Sequence, residues 1–389
     1  MGPDIRVVGV GGGGCNAVSR MMEVGIAGVE FIALDTDAYK LRECQAGHKL
    51  AIGQALTGGL GTGGDVGLGR QAAEQSQKEI QGALEGADMV FVTAAMGGGT
   101  GSGAASVVAS LAKSLGALTV GVATTPFHLE RQRRMRTALQ GIAALRGQVD
   151  AIIVIHNQRL LSLVDRRTSI IEAFTLADDV LRQAVQGVAE LVTVPGLINV
   201  DFADVRAVLE DAGPVLMGSA AGPSDRPAVE LVEAAVASPL LDNGIVGATE
   251  ILLNVTFGPD TTLHQVNHIA DEVAKATGTS MPNVVFGAVS DPQMHGQVKI
   301  TIIATGFREG TQPYYAEGRG MAERAREQRP APSPEVETQP LLVPQFEAEV
   351  VPGDLDMPTF LRRGLQPASG EPAAEEKPPE HEAVPSEET

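Results

Sequence analysis

Short runs of apolar, β-branched residues alternate with amphipathic segments through the first half of the chain. Ile5 to Val10, Phe31 to Leu34, Met89 to Ala94, Leu118 to Ala123 and Ala151 to Ile155 have the length and composition of buried strands. Helical spacing lies between them, as with Val107, Val108, Leu111 and Leu115 in the segment Ala104 to Leu115. Such alternation predicts an α/β fold with a doubly wound, mostly parallel sheet, whose ligands sit at the C-terminal ends of the strands. From Ala173 to about Val192, the positions Leu176, Val180, Leu181, Ala184, Val185, Val188 and Leu191 cover a broad apolar face. A long central helix buried between two layers is expected there. The turn at Pro195-Gly196 ends it, and a short helix follows at Phe202 to Leu209. Gly213 to Gly310 reads as a second, smaller α+β domain. In it Leu263, Val266, Ile269, Ala270 and Val273 mark a helix, and Val284 to Val289 and Val298 to Thr305 read as strands.

Beyond Arg329 the pattern ends. Residues 330–389 hold three basic residues against thirteen acidic ones, and twelve of the 23 prolines. Such a segment cannot bury enough apolar surface to offset its ordering entropy, so disorder is expected. One island interrupts it: Leu355-Asp356-Met357-Pro358-Thr359-Phe360-Leu361-Arg362-Arg363 mixes apolar and basic residues, as a linear motif that orders on a partner would. The expected division is an N-terminal ligand-binding domain at 1–172, a central helix and acidic loop at 173–212, the α+β domain at 213–310, a linker at 311–354, the partner-binding peptide at 355–363 and an acidic tail at 364–389.

Composition narrows the function. At 389 residues and 43% hydrophobic content the chain can form sizeable cores, while its net charge of −19 argues against a nucleic-acid partner. A nucleotide remains open, because backbone N–H groups and a metal can hold one. Cys15 and Cys44 are too few for a disulfide framework, which suits a reducing cytosol. With no apolar run near the eighteen or so residues of a spanning helix and no signal-peptide pattern, a cytosolic protein without membrane insertion is expected.

Three glycine clusters carry the candidate chemistry. Gly97-Gly98-Gly99-Thr100-Gly101-Ser102-Gly103 lies between a strand and a small-residue helix, where unpaired N–H groups and the positive dipole end favour an anion. Gly11-Gly12-Gly13-Gly14 follows the first strand and opens a helix near Cys15 and Asn16, and Gly58-Gly59-Leu60-Gly61-Thr62-Gly63-Gly64 lies between the two. Together they suggest loops converging on one polyphosphate. Gly9, Gly11 and Gly14, with Asp35 about twenty residues on, also satisfy a dinucleotide fingerprint, so an NAD-dependent oxidoreductase is the alternative. It leaves the run at Gly97 to Gly103 unused. No G-x-x-x-x-G-K-[ST] loop is present, so N–H groups, helix ends and a divalent cation such as Mg2+ are expected to neutralise phosphate charge.

Further along, Asn199-Val200-Asp201-Phe202-Ala203-Asp204 places two carboxylates where a loop enters a helix. Asp201 could simply cap the helix, worth about 1 kcal/mol; alternatively the pair orients and polarises a water for phosphate hydrolysis. Glu130 and Arg134, at helical i, i+4 spacing past a strand end, suit a ribose or phosphate. Phe174 and Asp179 pair an aromatic face with a carboxylate, which suits the N1–H and N2–H donors of guanine.

Taken in order, these segments resemble the tubulin/FtsZ family of GTPases, and its bacterial cell-division branch in particular. Gly98 to Gly103 looks like the family signature. Asp35-Thr36-Asp37, Pro126-Phe127, Asn157 and the segment from Asn199 to Asp204 follow in family order, and the resemblance covers about residues 4–310 plus the tail island. It implies GTP or GDP bound by the N-terminal domain, with Asn16, Phe174 and Asp179 near the base and Glu130, Arg134 and Asn157 near the ribose. The glycine loops would surround the phosphates. It further implies head-to-tail polymerisation into a ring at midcell beneath the inner membrane, with Asp201 and Asp204 acting, beside Asn199, on GTP held by the neighbouring subunit. Residues 355–363 would contact a membrane adaptor and other division proteins. Many relatives carry glycine where Arg131 stands, lysine where Thr125 stands and asparagine where Asp178 stands, and a GTP-binding scaffold that polymerises with little hydrolysis is the further alternative if such departures impair the chemistry. Beside Asp179, that second carboxylate is expected to raise one pKa through like charge.

Overall fold

The computed structural model describes residues 2–162, 164–165, 167–238 and 244–307. The linker, the peptide at 355–363 and the acidic tail lie outside the described residues. Among the described residues the strands are β1 (Ile5–Val10), β2 (Val29–Asp35), β3 (His48–Ala51), β4 (Met89–Ala95), β5 (Leu118–Thr125), β6 (Ala151–His156), β7 (Gly213–Pro223), β8 (Glu250–Phe257), β9 (Asn283–Ser290) and β10 (Gln297–Thr305). They pair in the order β3-β2-β1-β4-β5-β6-β7-β10-β8-β9. From β3 to β7 every pairing is parallel. Beyond β7 the direction changes: β10 is antiparallel to both β7 and β8, and β9 is parallel to β8.

The helices are α1 (Gly11–Val24), α2 (Ala38–Glu43), α3 (Gln54–Thr57), α4 (Val66–Gln75), α5 (Gln77–Leu84), α6 (Gly99–Ser114), α7 (Arg131–Arg146), α8 (Asn157–Leu160), α9 (Ile170–Thr193), α10 (Phe202–Leu209), α11 (Ala228–Val236) and α12 (Leu263–Ala276). They cover both faces of the parallel strands, which is why those strands are apolar runs rather than alternating ones. Val7, Phe91 and Val120 share one core with α1 and α9. Val8, Val90 and Val92, one residue out of step, share another with α4, α5, α6 and α7. A third core lies between α11, α12 and strands β8 and β10.

Three expected boundaries shift, each for a physical reason. Helices α1 and α6 begin at Gly11 and Gly99, so the glycines form the first helical turn instead of a loop ahead of it. Glycine costs a helix about 1 kcal/mol per residue, but here close packing decides. A Cβ on Gly103 would fall 2.2 Å from the Val66 carbonyl oxygen, so only glycine lets α6 lie against α4. Helix α9 begins at Ile170, not Ala173, because Ser169 and Glu172 form a capping box: Ser169 Oγ accepts the Glu172 N–H at 3.2 Å and the carboxylate accepts the Ser169 N–H at 2.7 Å. From there α9 joins the two halves of the sheet, its Val180, Val185 and Val188 sharing a core with Phe91 and with Met217, Leu252 and Ile303. Cys15 and Cys44 are free and buried. No helix among the described residues is long and apolar enough to cross a membrane.

Candidate functional site

Strand β1 lies between β2 and β4, and its helix α1 packs on the opposite face of the sheet from α6, the helix that follows β4. The strand order therefore reverses at β1, and the crevice at the C-terminal ends of β1 and β4 is where such sheets bind ligands. A cavity of about 500 Å³ occupies it. Gly11, Gly12, Gly13 and Asn16 line it from α1, and Gly98, Gly99, Thr100 and Gly101 from α6. Two helix N-termini thus meet across one space. A Cβ on Gly11, whose φ is +72°, would stand 2.8 Å from the Gly101 backbone nitrogen. Thr36 and Thr100 hydroxyls hydrogen-bond at 2.7 Å and tie the end of β2 to the same point.

Of the residues expected at the site, Glu130, Arg134, Asn157 and Phe174 also line this cavity. Glu130 accepts the Phe127 N–H at 3.0 Å and pairs with Arg134 at 3.3 Å, which fixes the turn after β5. In that turn Arg131 holds φ +75°, a conformation glycine adopts without strain. Asn157 is 5% exposed and its Oδ1 is buried without a partner among the described residues, so a ligand hydroxyl would satisfy it. Phe174 meets the buried ring of Phe127 edge-on, with centroids 5.2 Å apart.

Other expected residues support the walls without lining them. Gly14 packs against β1 and β4, Gly97 against α7, and Gly103 against α4. Ser102 is buried and its Oγ accepts the Gly97 N–H at 2.8 Å. On α9, Ala177 and Asp178 share the cavity face with Phe174, being three and four residues on, whereas Asp179 does not line the cavity. Its carboxylate is bound by Arg182 at 2.7 Å and Gln183 at 2.8 Å. Burial pushes Asp179 up, but those bonds outweigh it and hold it below the ordinary carboxylate range. Asp178 carries the raised pKa, about 7, and the cause is burial, opposed by Arg20, not the neighbouring like charge. Sequence spacing could have found this, since Asp178 is the carboxylate in helical register with Phe174.

Asn199, Asp201 and Asp204 are not among the residues lining the cavity. Asn199 Oδ1 accepts the Gly196 N–H at 2.6 Å, and Ile198 bridges to Ala288 of β9, which pins the loop. Asp201 occupies the N-cap position of α10, yet its side chain makes no capping bond. Both carboxylates are exposed. Leu197, 78% exposed, stands beside them, and Leu60, 86% exposed, stands at the cavity rim. Missed by sequence reasoning were Lys40 and Thr124, which line the cavity from α2 and the end of β5 without belonging to a recognisable motif; Pro126, named with Phe127 in the family order, lines it as well.

Strand order and crevice together define the class: this is a nucleotide-binding α/β protein. Residues 4–165 match the Tubulin/FtsZ family GTPase domain, and residues 213–308 match the C-terminal domain of the FtsZ family. An FtsZ dimer from M. jannaschii is 38% identical, with a TM-score of 0.74 over 81% of this chain and 95% of that one. A point mutant of FtsZ from the same organism is 40% identical, with a TM-score of 0.74 over 79% and 92%. CetZ2 from Haloferax volcanii, solved as a GTPγS-bound protofilament, shares the fold at 23% identity, with a TM-score of 0.67 over 83% and 98%. The chain belongs to the tubulin/FtsZ family of polymer-forming GTPases, and the dinucleotide oxidoreductase alternative falls.

Proposed function

We propose that the chain binds GTP in the β1/β4 crevice, polymerises head to tail, and hydrolyses GTP held by one subunit with Asp201 and Asp204 of the next, as part of the bacterial cytokinetic ring. The observation that carries this reading is a division of parts. The cavity has helix N-termini for phosphates, Asn157 for a ribose and an aromatic–carboxylate pair for a base, while the two free carboxylates suited to activating water do not line it. An interface of two unlike patches that does not close gives a filament.

In this reading Asp201 and Asp204 orient the attacking water and take its proton, with Asn199 holding the loop in place. Charge developing on the transferred phosphoryl group is met by the N–H groups of Gly99 to Gly101 at the start of α6. Among the described residues no group of three metal-ligating side chains exists. Mg2+ needs fewer, because phosphate oxygens and water complete its shell, and Asp35 and Asp37 line the cavity. It would supply charge neutralisation between phosphates. Residues 355–363 are proposed to recruit the polymer to a membrane adaptor in the cytoplasm at midcell.

Guanine recognition by Asp178 has a pH signature. Only the ionised carboxylate accepts both the N1–H and N2–H of guanine, and burial pushes its pKa up to about 7. Bound donors lower that value, so affinity should be full above about pH 7 and fall below it, approaching tenfold per pH unit. Guanosine, which has no phosphate to titrate, is the probe. Its affinity should drop on acidification in the wild type and be flat for Asp178→Asn. GTP should bind, and ATP and NAD should not. Equal binding of ATP, or a flat wild-type profile, would remove Asp178 from base recognition.

A further inference from the structure

Cavity-lining side chains carry four carboxylates, Asp35, Asp37, Glu130 and Asp178, and two cations, Lys40 and Arg134. Arg134 is engaged by Glu130. Lys40 makes no side-chain hydrogen bond or ion pair among the described residues, so its ammonium is the unengaged positive charge of the crevice. Its position is fixed from both sides. Asp37 caps α2 by accepting the Tyr39 and Lys40 N–H groups at 3.0 and 3.2 Å, and Leu41 anchors the helix in the core. Lys40 then extends toward the first turn of α1. A Cβ built on Gly12 would stand 3.6 Å from Lys40 Nζ and 3.8 Å from Asp35 Oδ2, so any side chain there would enter the space the ammonium overlooks. This is the phosphate end of the crevice, where the N–H groups of α1 and α6 have no intrahelical partner.

We infer that Lys40 is a phosphate-binding residue of this chain, a lysine supplied from α2 to an anion site that has no lysine in its glycine loops. The inference rests on the guanine-nucleotide reading of the crevice and adds to it the source of fixed positive charge. Without Lys40, no side-chain cation free of an ion pair would line the crevice among the described residues beside Asp35 and Asp37. Asp35 is buried, and burial pushes its carboxyl above the ordinary range against the pull of the Asp37 and Thr36 N–H groups and of Lys40. Lys40 is thus placed to meet the phosphate oxygens of a bound nucleotide. An ammonium on a flexible stem suits a ligand whose phosphates arrive and leave.

The test is equilibrium binding of GTP, GDP and guanosine to the full-length wild type, Lys40→Ala and Lys40→Arg at two salt concentrations. Lys40→Ala should weaken GTP and GDP about 10- to 100-fold, the size of one charge-assisted hydrogen bond, and should flatten the salt dependence of both. Guanosine affinity should be unchanged, and Lys40→Arg should recover most of the loss. The side chain is exposed and its position helical, so thermal unfolding should not move for the alanine variant. Wild-type affinity for GTP in Lys40→Ala would overturn the inference while leaving the nucleotide reading intact. Equal weakening of guanosine would also overturn it, by showing a packing role. A wild type that binds no guanine nucleotide would overturn the nucleotide reading itself, and this inference with it.

Discussion

Replacing Asp204 with alanine is expected to lower GTP turnover on the order of 10²- to 10⁴-fold, the contribution of a positioned general base, while GTP affinity changes less than about twofold. The reason is what Asp204 does not do in the folded chain. Its carboxylate is exposed and makes no side-chain hydrogen bond or ion pair among the described residues, and Asp201 beside it makes no capping bond. Only the favourable placement of a negative charge in the first turn of α10 is lost, worth about 0.3–1 kcal/mol. A large loss of turnover in a variant that unfolds normally and still binds GTP would therefore be chemical. The two carboxylates act on one water, so Asp201→Ala combined with Asp204→Ala should be little worse than Asp204→Ala alone. Stopped-rate phosphate release and nucleotide affinity on the same preparations decide this. Loss of GTP affinity in step with turnover would instead place Asp204 in the binding pocket of its own chain.

A second large effect is expected from Gly11→Ala. The added methyl forces a positive-φ residue, costing roughly 1–2 kcal/mol, and also meets the Gly101 backbone nitrogen at 2.8 Å. That neighbour is backbone and not the end of a flexible side chain, so the N-termini of α1 and α6 must move apart. GTP affinity should fall by at least about tenfold, and thermal stability should fall with it, since overpacking alone costs typically 1–3 kcal/mol. Gly82→Ala in α5 is the control: nothing lies within 4 Å of its added methyl, and alanine there should leave nucleotide binding unchanged and raise stability by about 0.5–1 kcal/mol. Equal GTP affinity in Gly11→Ala and wild type would mean that the two helix ends do not need their close approach to hold phosphate.

Much of this was legible before any coordinates. Buried parallel strands are continuous apolar runs, and Ile5 to Val10 needs no adjustment at either end. Strand β7 was not legible, because Gly213–Pro223 is rich in glycine, alanine and proline and takes its conformation from pairing with β6 and β10. The ambiguity between a dinucleotide and a polyphosphate has a structural source. The order β3-β2-β1-β4-β5-β6 is that of the dinucleotide-binding sheets, so glycines at the end of β1 satisfy both patterns, and the second helix N-terminus at Gly99 separates them. Asp178, and not Asp179, lines the cavity with Phe174 because it stands four residues on, in helical register. Lys40 escaped because nothing in the spacing of α2 says that it faces α1; the two meet only through the parallel pairing of β1 with β2.

The central claim is that phosphates and the carboxylates acting on them come from different molecules. Its most direct measurement is GTP turnover per molecule as a function of protein concentration, from well below to well above the onset of assembly. Turnover per molecule should be near zero in the dilute protein, rise steeply as subunits associate, and then level off. A turnover per molecule that stays constant across that range would contradict the account, because a single chain would then carry the whole active site.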